Sequence, residues 1–168
     1  MINENLRSLY LIALEQSYSI ENILIDELPS MAIEAYDQEL KKIFEDHLRE
    51  TKNQKARLDN LFTQYQQVPG IISMSMQAMV TETETMIKGI LDPLVKDAAL
   101  IASAQKIEHI EIASYHSLLT WAKELKDELA TKLLKETLDE EETASKKLTK
   151  LSEGGFFSKG LDQKAARK

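Results

Sequence analysis

The sequence predicts an all-α fold: a four-helix bundle with one long crossover that contains an extra helix, five helices in all. Three observations predict it. Only 5 glycines and 3 prolines punctuate 168 residues, and Leu, Ile, Ala, Met, Lys and Glu, which lose little side-chain freedom in a helix, fill most of the chain. Apolar residues recur in steps of three and four along four long stretches,. Those stretches pair into two hairpins with short links, and a much longer connection separates the pairs.

The first helix is expected from about Asn5 to Glu34, with Tyr10, Leu14, Leu24, Leu28 and Met31 on one face and Pro29 loosening or kinking its last turns,. Asp37 is a capping residue for the second, which runs to about Tyr65 with Leu40, Ile43, Phe44, Leu58, Leu61 and Phe62 as its apolar face,. Val68-Pro69-Gly70 is the strongest break in the chain,. Beyond it Met76, Met79, Val80, Ile87, Ile90 and Leu91 return to helical spacing and form the crossover helix. Asp92-Pro93 restarts the chain with a capping carboxylate and a proline where a missing N–H does no harm,. The third long helix continues through Ile101, Ala104, Tyr115, Leu118 and Ala122. A turn near Lys126-Asp127 leads to the fourth, with Leu134, Leu138 and Leu148 inward and Gly154-Gly155 closing it,. One helical domain over residues 1–153 and a flexible, weakly basic tail over 154–168 are expected. Two hairpins joined by one crossover match the ferritin-like arrangement.

Composition narrows the chemistry. A formal charge of -7 argues against sequence-independent nucleic-acid binding, which needs clustered positive charge. No apolar run approaches the roughly 18 residues of a membrane span, and MINENLRSLY lacks the basic-then-apolar pattern of a leader,. A soluble, cytoplasmic protein is the expectation, with neither nucleic acid nor membrane as partner. The absence of cysteine rules out disulfides, thiolate zinc sites and a cysteine nucleophile. Any metal must be held by oxygen or imidazole.

Extending each apolar stripe lands on carboxylates. Glu21 shares a face with Leu14, Ser17, Leu24 and Leu28. Glu50 shares one with Leu40, Ile43, His47, Gln54 and Leu61. Glu108 and Glu111 fall with Ile101, Ala104, Tyr115 and Leu118, and Glu141 with Leu134, Leu138, Ser145 and Leu148. Burying an unpaired carboxylate costs on the order of several kcal/mol, so such groups must be protonated, paired or bound to a cation. Glu21 and Glu50 lie equally far from the turn near Ala35, and Glu111 and Glu141 equally far from the turn near Lys126. In antiparallel hairpins that means equal height. Five acidic side chains converging on one level suit Fe, Mn or Mg better than zinc or copper(I). Taken singly, each glutamate reads first as a solvated helix residue, and the metal reading rests on the coincidence of level and face in four helices. His47 is either a ligand or a hydrogen-bonded core histidine. His109 and His116 fall off the stripe, and Met74, Met76 and Met79 serve as flexible packing.

ELPSMA (Glu27 to Ala32), FEDHLRETKNQKARL (Phe44 to Leu58), KDAALIASAQKIEHIEIASY (Lys96 to Tyr115) and LLKETLDEEETASKKL (Leu133 to Leu148) resemble the YciE/YciF group of bacterial stress proteins in the ferritin-like superfamily. The unit Glu108-His109-Ile110-Glu111 is also similar to the paired-glutamate segment of rubrerythrin, where both acids bind a di-iron centre. The resemblance implies a di-metal site, Fe or Mn, with Glu21, Glu50, Glu108, Glu111 and Glu141 at ligand positions. The chain departs from the pattern where Glu-x-x-His is usual: Asn53 and Ala144 stand three positions after Glu50 and Glu141, and Ser145 replaces an aspartate. Asn53, Gln54 or His47 substitutes, the site is weaker, or it holds no metal.

Two functions are compatible with this pattern. In one, two metals about 3.5 to 4 Å apart act on dioxygen or peroxide, with Tyr18 and Tyr115 close by. In the other, the glutamates form a metal-free polar network in a non-catalytic scaffold. A homodimer is expected in either case, with the crossover segment from Ile71 to Leu91 as partner surface and charge at Met79 or Ile87 expected to break it. Iron storage, which needs a closed shell of subunits, is a weaker third reading.

Overall fold

The computed structural model describes residues 5–155 and 158–166. Four long helices form the body: α1 (Leu6–Glu34), α2 (Gln38–Tyr65), α4 (Pro93–Glu124) and α5 (Glu128–Glu153). The crossover helix is α3 (Met74–Lys88). The ferritin-like bundle with one helix-bearing crossover is thus present, and its boundaries reflect local chemistry. Asn5 accepts from Ser8 N, Asp37 from Glu39 and Leu40 N, and Asp92, ahead of Pro93, from Leu94 and Val95 N; Asp127 accepts from Ala130 N,. Pro29 lies inside α1 without ending it, since the helix continues to Glu34.

Hydrogen bonds between distant segments set the directions. Asp97, near the start of α4, accepts from the backbone N–H of Tyr36 (2.8 Å) and Asp37 (2.9 Å) in the α1–α2 turn. At the other end Tyr65 donates to Asp127 (2.7 Å) and its hydroxyl lies 3.1 Å from that of Tyr10. The start of α4 therefore meets the end of α1, and the α4–α5 turn meets the start of α1. In cross-section α1 packs on α2 and α4, and α5 on α4 and α2. The crossover is fastened to α1: Glu15 accepts from Gly70 and Ile71 N–H, and Ser19 from Ser73 N–H. Its helix then buries Met76, Thr83 and Ile87.

The C-terminal segment departs from expectation. Residues 158–166 do not fray but fold back. Gly154–Gly155 pairs antiparallel with Ser158–Lys159, and a sixth helix, α6 (Leu161–Ala165), packs against α4 and α5. Leu161, 1% exposed, joins the core formed with Leu24, Leu100 and Leu148, and Ser152 donates to Asp162 (2.6 Å). One buried leucine outweighs the weakly basic composition that suggested a loose tail. Residues 156–157 and 167–168, also within that expected tail, lie outside the described residues.

Two apolar clusters fill the bundle. One, toward the α1–α2 turn, includes Leu24, Leu28, Leu40, Phe44, Ile107 and Leu148. The other, toward the α4–α5 turn, includes Leu14, Leu58, Leu61, Tyr115, Leu118 and Leu138. On every long helix buried polar residues stand between the two.

Candidate metal centre

Those polar residues form one layer. Leu14 and Leu24 bracket Ser17 and Glu21 on α1. Phe44 and Leu58 bracket His47, Thr51 and Gln54 on α2. Ile107 and Tyr115 bracket Glu108 and Glu111 on α4, while Leu138 and Leu148 bracket Glu141 and Ser145 on α5; all nine polar side chains are buried. Apolar residues above and below keep water from them.

Donor atoms of His47, Glu108, Glu111 and Glu141 lie within 4.8 Å of one another. His47 Nε2 is 3.3 Å from Glu108 Oε1 and 3.8 Å from Glu141 Oε2. Glu21 stands at the same layer and accepts a hydrogen bond from Tyr115 at Oε1. Gln54 donates through Nε2 to Oε1 of Glu141 and to Oε2 of Glu140 (3.1 Å). Arg57 clamps Glu140 from outside with two hydrogen bonds, at 2.6 and 2.7 Å. A continuous chain of contacts thus runs from Arg57 near the surface to Glu141 in the core.

Four of the five glutamates picked out from the sequence, Glu21, Glu108, Glu111 and Glu141, come to this layer. Glu50 does not. Its side chain is 30% exposed, with Oε1 3.6 Å from Lys147 and Oε2 3.6 Å from Nδ1 of His47. The buried face of α2 runs Leu40, Phe44, His47, Thr51, Gln54, Leu58, Leu61, strict steps of four and three. The expected stripe took Ile43 and Glu50, each one residue early, and missed Thr51. His47 occupies the place given to Glu50. Asn53 is exposed and cannot substitute, while Ala144 is buried without a polar atom.

The electrostatics result from burial. Burial pushes the Glu21 carboxyl up to about 8, against the opposing hydrogen bond from Tyr115 and the proximity of His47,. Burial first, then neighbouring carboxylates, raises Glu111 and Glu141 well above the usual range. For His47 burial favours the neutral ring, but the charges of Glu108, Glu50 and Glu21 outweigh it and raise the pKa. Glu50, paired with His47 and near Lys147, is held below the usual carboxylate range.

Whether this donor set fits a metal is tested by its unsatisfied atoms. Among the described residues, the buried side-chain oxygens and nitrogens with no hydrogen-bond partner are Ser17 Oγ, Glu21 Oε2, both ring nitrogens of His47, Gln54 Oε1, Glu108 Oε2, both oxygens of Glu111 and Glu141 Oε2. All belong to this one layer. Buried polar atoms are nearly always paired, and carboxylate oxygens with imidazole are the donors Fe and Mn accept. The residues fit.

Comparison with known proteins agrees with this architecture. The model of a family described as a domain of unknown function, DUF892, matches residues 5–165. Protein YciF of Escherichia coli (strain K12) is 36% identical over 151 residues, covering 89% of this chain and 91% of that protein. The crystal structure of the E. coli stress protein YciF matches with a TM-score of 0.86 at 33% identity, over 98% of this chain and 99% of that one. YcfI from Rhodopseudomonas palustris matches with a TM-score of 0.84 at 34% identity, over 87% and 94%. A protein from Xanthomonas campestris pv. campestris, at 19% identity and a TM-score of 0.69 over 87% and 89%, shares the fold. The chain belongs to the DUF892 family, alongside the E. coli stress protein YciF.

Proposed function

We propose that this protein is a stress protein carrying a di-metal centre, Fe or Mn, held by Glu21, Glu108, Glu111, Glu141 and His47 and acting on dioxygen or peroxide. The observation that carries the reading is Glu111, 1% exposed with neither carboxylate oxygen hydrogen-bonded. Four buried carboxylates balance two divalent cations without any buried charge left over, and His47 adds a neutral nitrogen donor. When bound, such a pair of ions polarises an O–O bond and neutralises charge that develops on it. The chain's own residues prepare the site. Tyr115 holds a proton at Glu21 Oε1, Gln54 occupies Glu141 Oε1 and leaves Oε2 free, and the two apolar clusters exclude water. Glu50 places a carboxylate charge 3.6 Å from His47 Nδ1.

The test is a melting curve of chelator-stripped protein with and without Fe(II), kept anaerobic, or Mn(II). At a hundredfold excess over Kd, binding adds about 2.7 kcal/mol, which shifts Tm by roughly 5 to 10 °C for a chain of this size. Glu111→Ala should abolish the shift. No shift in the unaltered protein overturns the reading.

A second reading, a metal-free polar network in a scaffold, draws support from the Tyr115–Glu21 and Gln54–Glu141 hydrogen bonds, which satisfy part of the layer from within. It predicts a Tm indifferent to both metals.

A further inference from the structure

An open groove of about 400 Å3 runs between α2, α5 and the C-terminal segment, within the roughly 300 to 1000 Å3 of small-ligand sites. Its walls differ in charge. The α2 wall carries Asp37, Glu39, Lys42 and Asp46, whereas the α5 wall carries Lys147 and Lys150 and the C-terminal segment adds Lys159 and Lys164. Five lysines and three acids thus line one groove in a chain whose formal charge is -7. Most of the acid charge is already engaged. Asp46 pairs with Lys42 (2.7 Å) and Arg49 (2.9 Å), and Asp37 accepts from the N–H groups of Glu39 and Leu40. Lys147 lies 3.6 Å from Glu50. Lys150, Lys159 and Lys164 make no ion pair among the described residues, against one such lining acid, Glu39.

The fold makes this convergence. Lys147, Lys150 and Gly154 recur in steps of three and four, which puts them on one face of α5,. Lys159 and Lys164 join them because Leu161, 1% exposed, pins α6 against α4 and α5. Like charges gathered in this way repel one another, and the low-dielectric walls of a cleft concentrate their field. An anion entering the groove relieves that repulsion.

The geometry points to this groove as a binding site for a short inorganic condensed phosphate, a diphosphate or triphosphate, held by Lys150, Lys159 and Lys164. The donors select the anion. Every cation lining the groove is an ammonium group, a point charge that suits a multiply charged phosphate, whereas a planar carboxylate is best met by the arginine fork, and no arginine lines the groove,. A chain of phosphates spreads its charge along its length, as the lysines are spread over two segments. No aromatic side chain lines the groove either, so a nucleobase has nothing to stack on,. The site is independent of the metal reading, and neither needs the other.

Calorimetric titration of the full chain, free of metal, with sodium triphosphate tests this. One triphosphate should bind per chain, and more weakly as salt rises, because the contacts are exposed charges. Lys150→Gln and Lys159→Gln should each weaken binding about threefold, and the double variant about tenfold. Lys135→Gln combined with Lys146→Gln removes two cations of α5 that lie outside the groove and should leave binding unchanged. All four lysines are exposed, so none of the variants disturbs the core. No binding to the unaltered protein overturns the proposal. Several weak sites per chain, or equal weakening in the control variant, reduce the effect to unspecific charge and overturn it too. Citrate binding as tightly as triphosphate overturns the choice of phosphate, and ATP binding more than about tenfold tighter than triphosphate overturns the inorganic ligand.

Discussion

Tyr115 donates its phenolic hydrogen to Oε1 of Glu21 across 94 positions of sequence, in the middle of the bundle where the two residues are 1% and 0% exposed. Among the described residues it is the one hydrogen bond to the Glu21 carboxylate, whose Oε2 has no partner there. Tyr115→Phe keeps the ring and removes the donor. An unmet buried acceptor costs about 1 to 3 kcal/mol, so the metal-free variant should melt several degrees lower, by roughly 2 to 4 °C per kcal/mol. Thermal denaturation with chelator present checks it, and an unchanged Tm means the bond contributes nothing in solution.

The pH dependence of metal-free stability has a definite sign. Burial raises the Glu21 pKa from 4.5 to about 8 in the folded protein, and raises Glu111 and Glu141 in the same direction. The folded state therefore holds more protons than the unfolded chain over this range. Its stability is greatest below about pH 4.5 as far as these groups are concerned, and falls as pH rises through 8,. A bound cation replaces those protons, so the metal-loaded protein should lose no stability over the same window. Melting curves from pH 4.5 to 8, with chelator and with Mn(II), should diverge as pH rises; parallel curves would refute ionisable glutamates in the layer.

Gln54 orients Glu141, and Arg57 with Glu140 anchors Gln54. Removing a group that orients a ligand typically costs about 10- to 100-fold in metal affinity. Gln54→Leu should therefore weaken Mn(II) binding by at least about tenfold, measured by calorimetric titration, while the protein stays folded. Full affinity in the variant would show that Glu141 needs no such support.

Gly160 is buried in the link to α6, and a Cβ there would sit 1.9 Å from the carbonyl oxygen of Ser152. Its φ of -68° suits any residue, so the constraint is space alone. Gly160→Ala should displace α6 and pull Leu161 from the core, at a cost of about 1 to 3 kcal/mol. Limited trypsin digestion should then cut after Lys159 and Lys164 much faster than in the unaltered protein. Equal rates would mean the docked segment tolerates the methyl group.

For a homodimer formed through the crossover, the informative position is Met74. Ile87, expected from the sequence to be a partner contact, is 8% exposed and packed in the protein's own core, so a charge there perturbs folding instead. Met74 is 77% exposed, near the exposed Ile72. Met74→Asp should leave Tm unchanged and convert a dimeric gel-filtration peak to a monomeric one. A dimer that persists does not use this surface.

How far the site could be read in advance varied by helix. On α1, α4 and α5 the apolar stripe led to Glu21, Glu108, Glu111 and Glu141, because large aliphatic residues on both sides of each acid leave little freedom in the phase. On α2 the phase slipped between Leu40 and Leu61. Strict alternation of four and three through Phe44 and Leu58 selects His47, Thr51 and Gln54 and leaves Glu50 at the rim, so the signal was present in the spacing of those two buried side chains. The docking of α6 gave no comparable signal, since one leucine in a basic segment has no periodicity.

Helix existence, helix ends and the acid content of the buried faces were determined by the sequence itself, because each depends on groups within one or two turns. Asp37, Asp92-Pro93 and Asp127 each cap the helix beginning beside them, and the stripes repeat within a single helix. Only the tertiary structure decided which acids lack partners. A carboxylate's hydrogen bonds are completed or withheld by other segments, as when Tyr115 reaches Glu21 over 94 positions and Gln54 reaches Glu141 over 87. No local pattern records that Glu111, on the same helix as Tyr115, is left with nothing.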